Sequence, residues 1–285
     1  MLHLIIDTTS RESMERDMIA YLDITTDELY RYIDNAAEKA ESSTGFSTEK
    51  FNQEIFMIID AHKPSNPIDE VLCFHLSRRL NMSSNDLRLY NLRELLLGDN
   101  DLVHYLKAHN IIFKEQGSHL ILFYQGRKIS LEDTTESEVC YLRSRLGYNY
   151  GRQDFCLNGF VMGDQLLKNM YTRDLFEGPE FLAVLSCFLK NKTIINDFKK
   201  ASTYFFYTLK IPIDEVIFDG FEEFDNNKKE LYLVTKIFNR LLMYNDSSFA
   251  YFSDDDNPII RMGDNVILPE TCMVGREKIT LEMIK

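Results

Sequence analysis

The chain changes character after residue 66, and this change constrains the fold more than any other feature of its 285 residues. In the first part, Pro and Gly are sparse and helix-start signals are clear. Thr25 with Glu28 forms a capping box, in which each side chain satisfies a backbone N–H at the start of a helix. On a second helix, apolar residues recur every four positions: Phe51, Ile55 and Ile59. Residues 1–66 are therefore predicted to form a helical N-terminal portion.

Residues 67–285 mix short β-prone runs irregularly with helical stretches, and are predicted to form a second domain. Runs at 111–114 and 119–124 flank a Gln-Gly-Ser turn, which predicts a β-hairpin. Thr135 with Glu138 offers a second capping box. Other strands are expected at residues 71–76, 155–162, 203–211, 216–218, 259–261, 266–268 and 279–281, while 229–244 suits a helix or a strand. This order favours an α+β fold over a repeating βαβ unit.

The net charge is −13, and it is unevenly distributed along the chain. Residues 1–70 carry 6 basic and 15 acidic side chains (net −9), residues 71–150 carry 10 and 9 (net +1), and residues 151–285 carry 16 and 21 (net −5). An acidic chain repels nucleic-acid phosphates and anionic lipids, so broad binding to nucleic acid or membrane is not expected. The start of the chain lacks the pattern of a signal peptide, and a cytoplasmic location is expected.

Several common site types have no support in the sequence. The five cysteines are an odd number without C-x-x-C spacing, which argues against a disulfide framework or a cysteine zinc site. Glycine-rich phosphate loops and the motifs of zinc proteases and serine hydrolases are absent. The acidic run at 254–256 is expected to be a solvated loop, and no metal site is predicted.

The run Phe-His-Leu-Ser-Arg-Arg at 74–79 is the first candidate for a site. A histidine inside an apolar strand needs hydrogen-bond partners, and His75 at a strand end can hold a ligand hydroxyl. Arg78 and Arg79 suit a pyrophosphate or carboxylate, since guanidinium donors match those oxygens in pairs. The plainer interpretation is a core histidine followed by two surface arginines.

The second candidate is the run Asn-Gly-Phe-Val-Met-Gly-Asp at 158–164, where a strand turns through glycine towards a helix. Gly159 would let the backbone approach a ligand closely, and Phe160 would offer a flat face for stacking. Lys168 and Tyr171 follow on the expected helix. The plainer interpretation is a tight strand–helix connection with a core phenylalanine.

Over about residues 71–285 these segments resemble the ADP-ribosyltransferase superfamily. His75 followed by Ser77 is similar to the first strand of the family's split sheet. The second segment is similar to a later strand, turn and helix of the family through Gly159, Phe160, Asp164, Lys168 and Tyr171. The segment 204–216 looks like the family's following strand, and 264–269 like the strand at whose start the family keeps its catalytic acid.

The resemblance implies a split, mostly antiparallel sheet with flanking helices that binds NAD as a substrate. The implied NAD-binding residues are His75, Ser77, Arg78, Arg79, Gly159, Phe160 and Tyr171. His75 and Asp264 would be catalytic, with the histidine on a ribose and the aspartate as the acid. The implied reaction is transfer of ADP-ribose to a macromolecular acceptor, or hydrolysis of NAD, as in a toxin or defence effector.

Two departures from the family pattern keep an alternative open. Phe160 stands where the His-Tyr-Glu type has Tyr, and the nearest acid before 266–268 is Asp264 rather than Glu. Asp is shorter by one methylene, and a misplacement of about 1 Å can cost ~100-fold in rate. Glu180 is a further candidate acid, although the helix dipole also favours Glu in a first turn. The alternative is an inactive module of the same fold that binds a protein partner through its acidic N-terminal portion.

Overall fold

The computed structural model describes residues 3–64, 66–81, 87–149, 153–245 and 257–284. Within them, the helices are α1 (Arg11–Leu22), α2 (Thr26–Ala40), α3 (Thr48–His62), α4 (Leu92–Leu97), α5 (Asp101–Ala108), α6 (Ser137–Arg145), α7 (Met170–Glu177), α8 (Glu180–Phe188), α9 (Thr193–Ala201) and α10 (Asn226–Asn245). The strands are β1 (Ile5–Ile6), β2 (Glu70–Leu80), β3 (Ile111–Gln116), β4 (His119–Tyr124), β5 (Arg127–Lys128), β6 (Asn158–Phe160), β7 (Ser202–Pro212), β8 (Ile217–Phe218), β9 (Ile259–Arg261) and β10 (Met273–Lys278). Across those ranges, no helix combines the length and apolar character that a membrane crossing requires.

The chain divides into two compact units, each built from three separate segments. Unit 1 comprises Met1–Phe74, Gly159–Leu166 and Leu209–Ile260, and unit 2 comprises His75–Asn158, Leu167–Thr208 and Arg261–Lys285. Strands β2 and β7 each run from one unit into the other. The domain boundary expected after residue 66 does not coincide with this division and stays a prediction.

Helices α1, α2, α3 and α10 pack against one another in unit 1. Thr25 caps α2 in the predicted capping box, and the Ser47 side chain caps α3. Their apolar stripes are buried, through Leu29, Ile33 and Ala36 on α2 and through Phe51, Ile55 and Ile59 on α3. The helical N-terminal portion is therefore confirmed, and the segment at 229–244 is a helix.

The strands of unit 1 are organised around β2. Strand β1 pairs parallel with β2, and β6 pairs antiparallel with it, Phe160 lying opposite Phe74. The order continues from β6 to β9 and β8. Beyond β6 the chain passes close to the ring of Phe74, where a Cβ on Gly163 would lie 2.6 Å from the ring carbon Cζ. Gly163 is therefore required by packing.

Unit 2 contains strands β10, β7 and β2 as neighbours and a separate three-stranded sheet in the order β3-β4-β5. The predicted hairpin is confirmed: β3 and β4 pair antiparallel from Ile111 opposite Tyr124 to Gln116 opposite His119. Its inner face joins a buried core with α4, α5, α6, α8 and α9. The fold combines antiparallel strand pairs, helices and a helical N-terminal portion. It is therefore α+β, as predicted.

Several local predictions were wrong. The strand expected at 266–268 does not form. A turn at 264–265 precedes the segment and Pro269 follows it, and its one β-pairing is an isolated bridge between Leu268 and Leu89. The segment 279–281 follows β10 instead of forming a strand, although Ile279 is buried. The second capping box does not form, because Thr135 bonds the Asp133 carboxylate and α6 starts without a side-chain cap.

The Gly163→Ala substitution is expected to lower the free energy of unfolding by about 2 kcal/mol, since overpacking a tight site forces the backbone or a ring to move. Gly263→Ala is the matched control, because its Cβ would meet only the Val266 Cγ2 atom at 3.3 Å. Urea denaturation followed by circular dichroism measures both changes. Equal losses in the two variants would contradict the packing argument.

Candidate functional site

His75 lies on β2, where side chains alternate between the two faces of the strand. His75, Ser77 and Arg79 therefore share one face, and Arg78 belongs to the other. The Nδ1 atom of His75 lies 2.7 Å from the carbonyl oxygen of Asn158. Because a carbonyl only accepts, Nδ1 must carry the proton and donate. The half-buried ring lies 6.2 Å from the ring of Tyr207, centroid to centroid.

The environment of His75 favours its neutral form. Burial lowers the pKa of His75 to about 4 from an ordinary 6.5, and the nearby charge of Arg79 lowers it further, while the bond to Asn158 opposes both effects. With Nδ1 protonated, Nε2 of the neutral ring is a hydrogen-bond acceptor. Among the residues that the structure describes, none bonds Nε2. His75 thus presents one fixed acceptor atom.

Arg78 has a structural role. Its guanidinium donates to the Ser202 hydroxyl at 2.9 Å and to three carbonyl oxygens, those of Phe176 at 2.7 Å and of Lys199 and Ser202 at 3.0 Å each. Burial lowers the pKa of Arg78. Four of its five N–H donors are therefore engaged. The expected role of Arg78 on a pyrophosphate does not fit this geometry.

Arg79 makes fewer hydrogen bonds than Arg78 within the described part of the chain. One of its guanidinium nitrogens donates to the carbonyl oxygen of Arg88 at 2.7 Å, and the group lies 5.8 Å from the centre of the Tyr207 ring. Ser77, half-buried, lies between His75 and Arg79 on the same face of β2. The face therefore carries an acceptor, a hydroxyl and a cation in sequence along one strand.

Asp264 holds the segment that leads to β6. Its Oδ1 atom accepts the backbone N–H groups of Phe155 at 2.9 Å and Cys156 at 3.1 Å. The expected strand at 155–162 is reduced to β6, and it is lost at 155–156 because these N–H groups bond a carboxylate rather than a neighbouring strand. Two residues further on, the Asn158 carbonyl accepts from His75. Asp264 and His75 thus hold the same short segment, and no residue in the described part of the chain bonds the Oδ2 atom of Asp264.

The other expected site residues lie in different surroundings. Gly159 and Phe160 belong to unit 1, whereas His75, Ser77, Arg78, Arg79, Tyr171 and Asp264 belong to unit 2. A Cβ on Gly159 would lie 3.0 Å from the Phe74 carbonyl oxygen, so strand packing already accounts for this glycine. Tyr171 is exposed near the start of α7.

Asp164, expected to start a helix, is buried in unit 1. Its Oδ2 atom accepts from the Tyr244 hydroxyl at 2.7 Å and lies 3.3 Å from Nε of Arg240. Glu180 occupies the first turn of α8 and bonds Tyr141. Both acids therefore have structural partners. The acidic run at 254–256 lies outside the described residues.

Sequence reasoning missed two features of the segment 156–158, which Asp264 and His75 hold. Asn158 acts through its backbone carbonyl, which leaves no signal in the side-chain pattern. Arg261 is only 6% exposed and bonds the Cys156 thiol, whose pKa is raised by burial. A charge inside the apolar run 259–262 was the available signal for this arginine.

Comparison of the chain with protein-family models, curated proteins and solved structures gives no match. The resemblance to ADP-ribosyltransferases therefore stays a prediction from the residues. A functional assignment depends on the geometry around His75.

Replacing Arg78 by Lys is expected to lower the free energy of unfolding by about 2–3 kcal/mol, since a compact ammonium cannot reach acceptors spread across a guanidinium fork. Arg79→Lys is the matched control and is expected to change it by no more than about 0.5 kcal/mol. Urea denaturation measures both. A loss for Arg79→Lys as large as that for Arg78→Lys would contradict the structural role.

The lowered pKa of His75 makes stability depend on pH. Between the folded value of about 4 and the ordinary 6.5, the unfolded chain binds more protons than the folded chain. The contribution of His75 is thus fully present above pH 6.5 and is lost as the pH falls towards 4. His75→Asn keeps a hydrogen-bond donor and does not titrate. The urea midpoint should therefore fall further between neutral and mildly acidic pH in the wild type than in His75→Asn. Equal falls would contradict burial of a neutral imidazole.

Proposed function

We propose that the chain is an NAD-using enzyme similar to ADP-ribosyltransferases, in which His75 binds a ribose hydroxyl. The observation that carries this proposal is the fixed tautomer of His75. Its Nδ1 proton is committed to the Asn158 carbonyl, so Nε2 accepts. A ribose hydroxyl is a donor that fits such an atom, and on the half-buried ring no described residue bonds Nε2, so this acceptor is available to a ligand hydroxyl.

The phosphate-binding role belongs to Arg79 and Ser77 rather than to Arg78. Arg79 shares a face of β2 with His75, and its charge reaches the imidazole strongly enough to lower the pKa of His75. The guanidinium of Arg79 makes one hydrogen bond to protein in the described part of the chain, which leaves donors for phosphate oxygens. Arg78 instead stabilises unit 2 through its four bonds.

The proposed reaction breaks the bond between nicotinamide and its ribose. Nicotinamide leaves with the bonding electron pair, and a nucleophile of a macromolecular acceptor, or water, forms the new bond to the ribose carbon. The nucleophile loses a proton to a base. The carboxylate of Asp264, the acidic residue that the resemblance implies at this position, is the proposed base and acts through Oδ2, because Oδ1 is held by the N–H groups of Phe155 and Cys156.

Purified protein is expected to melt at a higher temperature in NAD, since a ligand that binds the native state stabilises it. It is also expected to release nicotinamide. His75→Ala should lower the release rate by about 100-fold, and His104→Ala, which removes an exposed histidine paired with Asp99, should leave it unchanged. Absence of both a melting shift and nicotinamide release in the wild type would overturn the proposal.

A binding module without transferase chemistry is the second candidate. The bonds that engage Arg78 and the Oδ1 atom of Asp264 favour it, since residues expected to serve NAD are used to hold the fold. In this case NAD would not change the melting temperature. A partner would instead bind elsewhere on the molecule, and His75→Ala would leave that binding intact.

A further inference from the structure

A groove in unit 1 encloses about 480 Å³ and lies where α1, α3 and α10 meet the segment before β2. The residues that line it are Tyr21, Phe56, Ile59, Asp60, Pro64, Pro67, Asn227, Glu230 and Leu231. This volume falls within the range of about 300–1,000 Å³ that is usual for pockets that bind small molecules. None of these residues belongs to the face of β2 described above.

The walls of the groove are mostly apolar. Ile59 and Tyr21 are buried, and the ring of Phe56 remains 39% exposed although phenylalanine is usually buried. Met57 follows on α3 and is 55% exposed. Two neighbouring apolar side chains on α3 are thus exposed, one of them lining the groove, which suits an occupant larger than the groove itself.

The charge of the groove is negative. Asp60 and Glu230 are its carboxylates, and none of the nine lining residues, all of them described, is basic. The Tyr21 hydroxyl bonds Glu230, and burial raises the pKa of both groups, that of Tyr21 to about 12. A carboxylate that is partly removed from water gains most from an opposite charge brought against it.

We propose that this groove binds a segment of a partner protein that presents a Lys or Arg side chain next to apolar residues. The cation would meet Asp60 and Glu230, and the neighbouring apolar residues would cover Phe56 and Met57. A second copy of the chain fits poorly, because residues 1–70 have a net charge of −9 and two such surfaces repel each other. This partner would suit the second candidate function, a binding module without transferase chemistry. Binding in the groove does not depend on whether the chain binds NAD.

Binding is tested on the full chain with two fluorescent peptide pools. Both have apolar residues and proline at the flanking positions, and the central residue is Arg in one and its neutral isostere citrulline in the other. Fluorescence anisotropy should show binding of the Arg pool, weakened by added salt, and about tenfold weaker binding of the citrulline pool. Equal affinities, or no binding of either pool, would overturn the proposal.

Matched variants locate the binding on the protein. Asp60→Asn and Phe56→Ala should each weaken the Arg pool by about tenfold. Glu38→Gln removes the same charge from an exposed position on α2 and should have no effect. Loss of binding in Glu38→Gln equal to that in Asp60→Asn would show a nonspecific charge effect and overturn the site.

Two further readouts separate this inference from the alternatives. Nicotinamide release by Asp60→Asn should equal that of the wild type, so a failure of the NAD proposal and a failure of the groove proposal give different results. Sedimentation should give the same mass for the wild type and Phe56→Ala. A dimer that is lost in Phe56→Ala would make a second copy the occupant and overturn the proposal.

Discussion

Strand β2 has hydrogen-bonded neighbours on both edges, and this constraint governs the structure around it. Polar side chains on such a strand cannot remain unpaired where water is excluded. Arg78 meets the requirement with one hydroxyl and three carbonyl oxygens, and His75 with the carbonyl of Asn158. The two residues lie on opposite faces. One face is thus closed by internal bonds, and the other retains an acceptor and a cation.

The parts of the fold that could be predicted are those encoded by neighbouring residues. The capping box of Thr25 and Glu28 and the glycine turn between β3 and β4 act over a few positions, and both formed. The parts that were wrong depend on distant contacts. Asp264 takes N–H groups more than one hundred residues earlier in the chain and shortens the expected strand there. No local pattern encodes such a competition.

The same distinction applies to the site. The need of His75 for a hydrogen-bond partner follows from its apolar neighbours, but that partner is a backbone carbonyl and could not be named from the sequence. Arg78 and Arg79 have different surroundings because successive side chains of a strand point to opposite faces, and this rule can be applied to the sequence alone. Applying it would have separated Arg79 from Arg78. The carbonyl oxygens that engage Arg78 come from α7, α9 and β7, and only the folded chain brings them together.

The interleaving of the two units along the chain has a consequence for how the protein is made. Unit 1 needs the segment that ends at Ile260, and unit 2 needs the segment that begins at Arg261. During synthesis, unit 1 cannot close before residue 260 has emerged, and unit 2 cannot close before residues after Arg261 have emerged, so α2 and α3 have no α10 to pack against until then. Such long-range closure slows folding and leaves apolar surface exposed in the interval. Folding from the ribosome is therefore expected to depend more on chaperones than it would for two domains arranged one after the other.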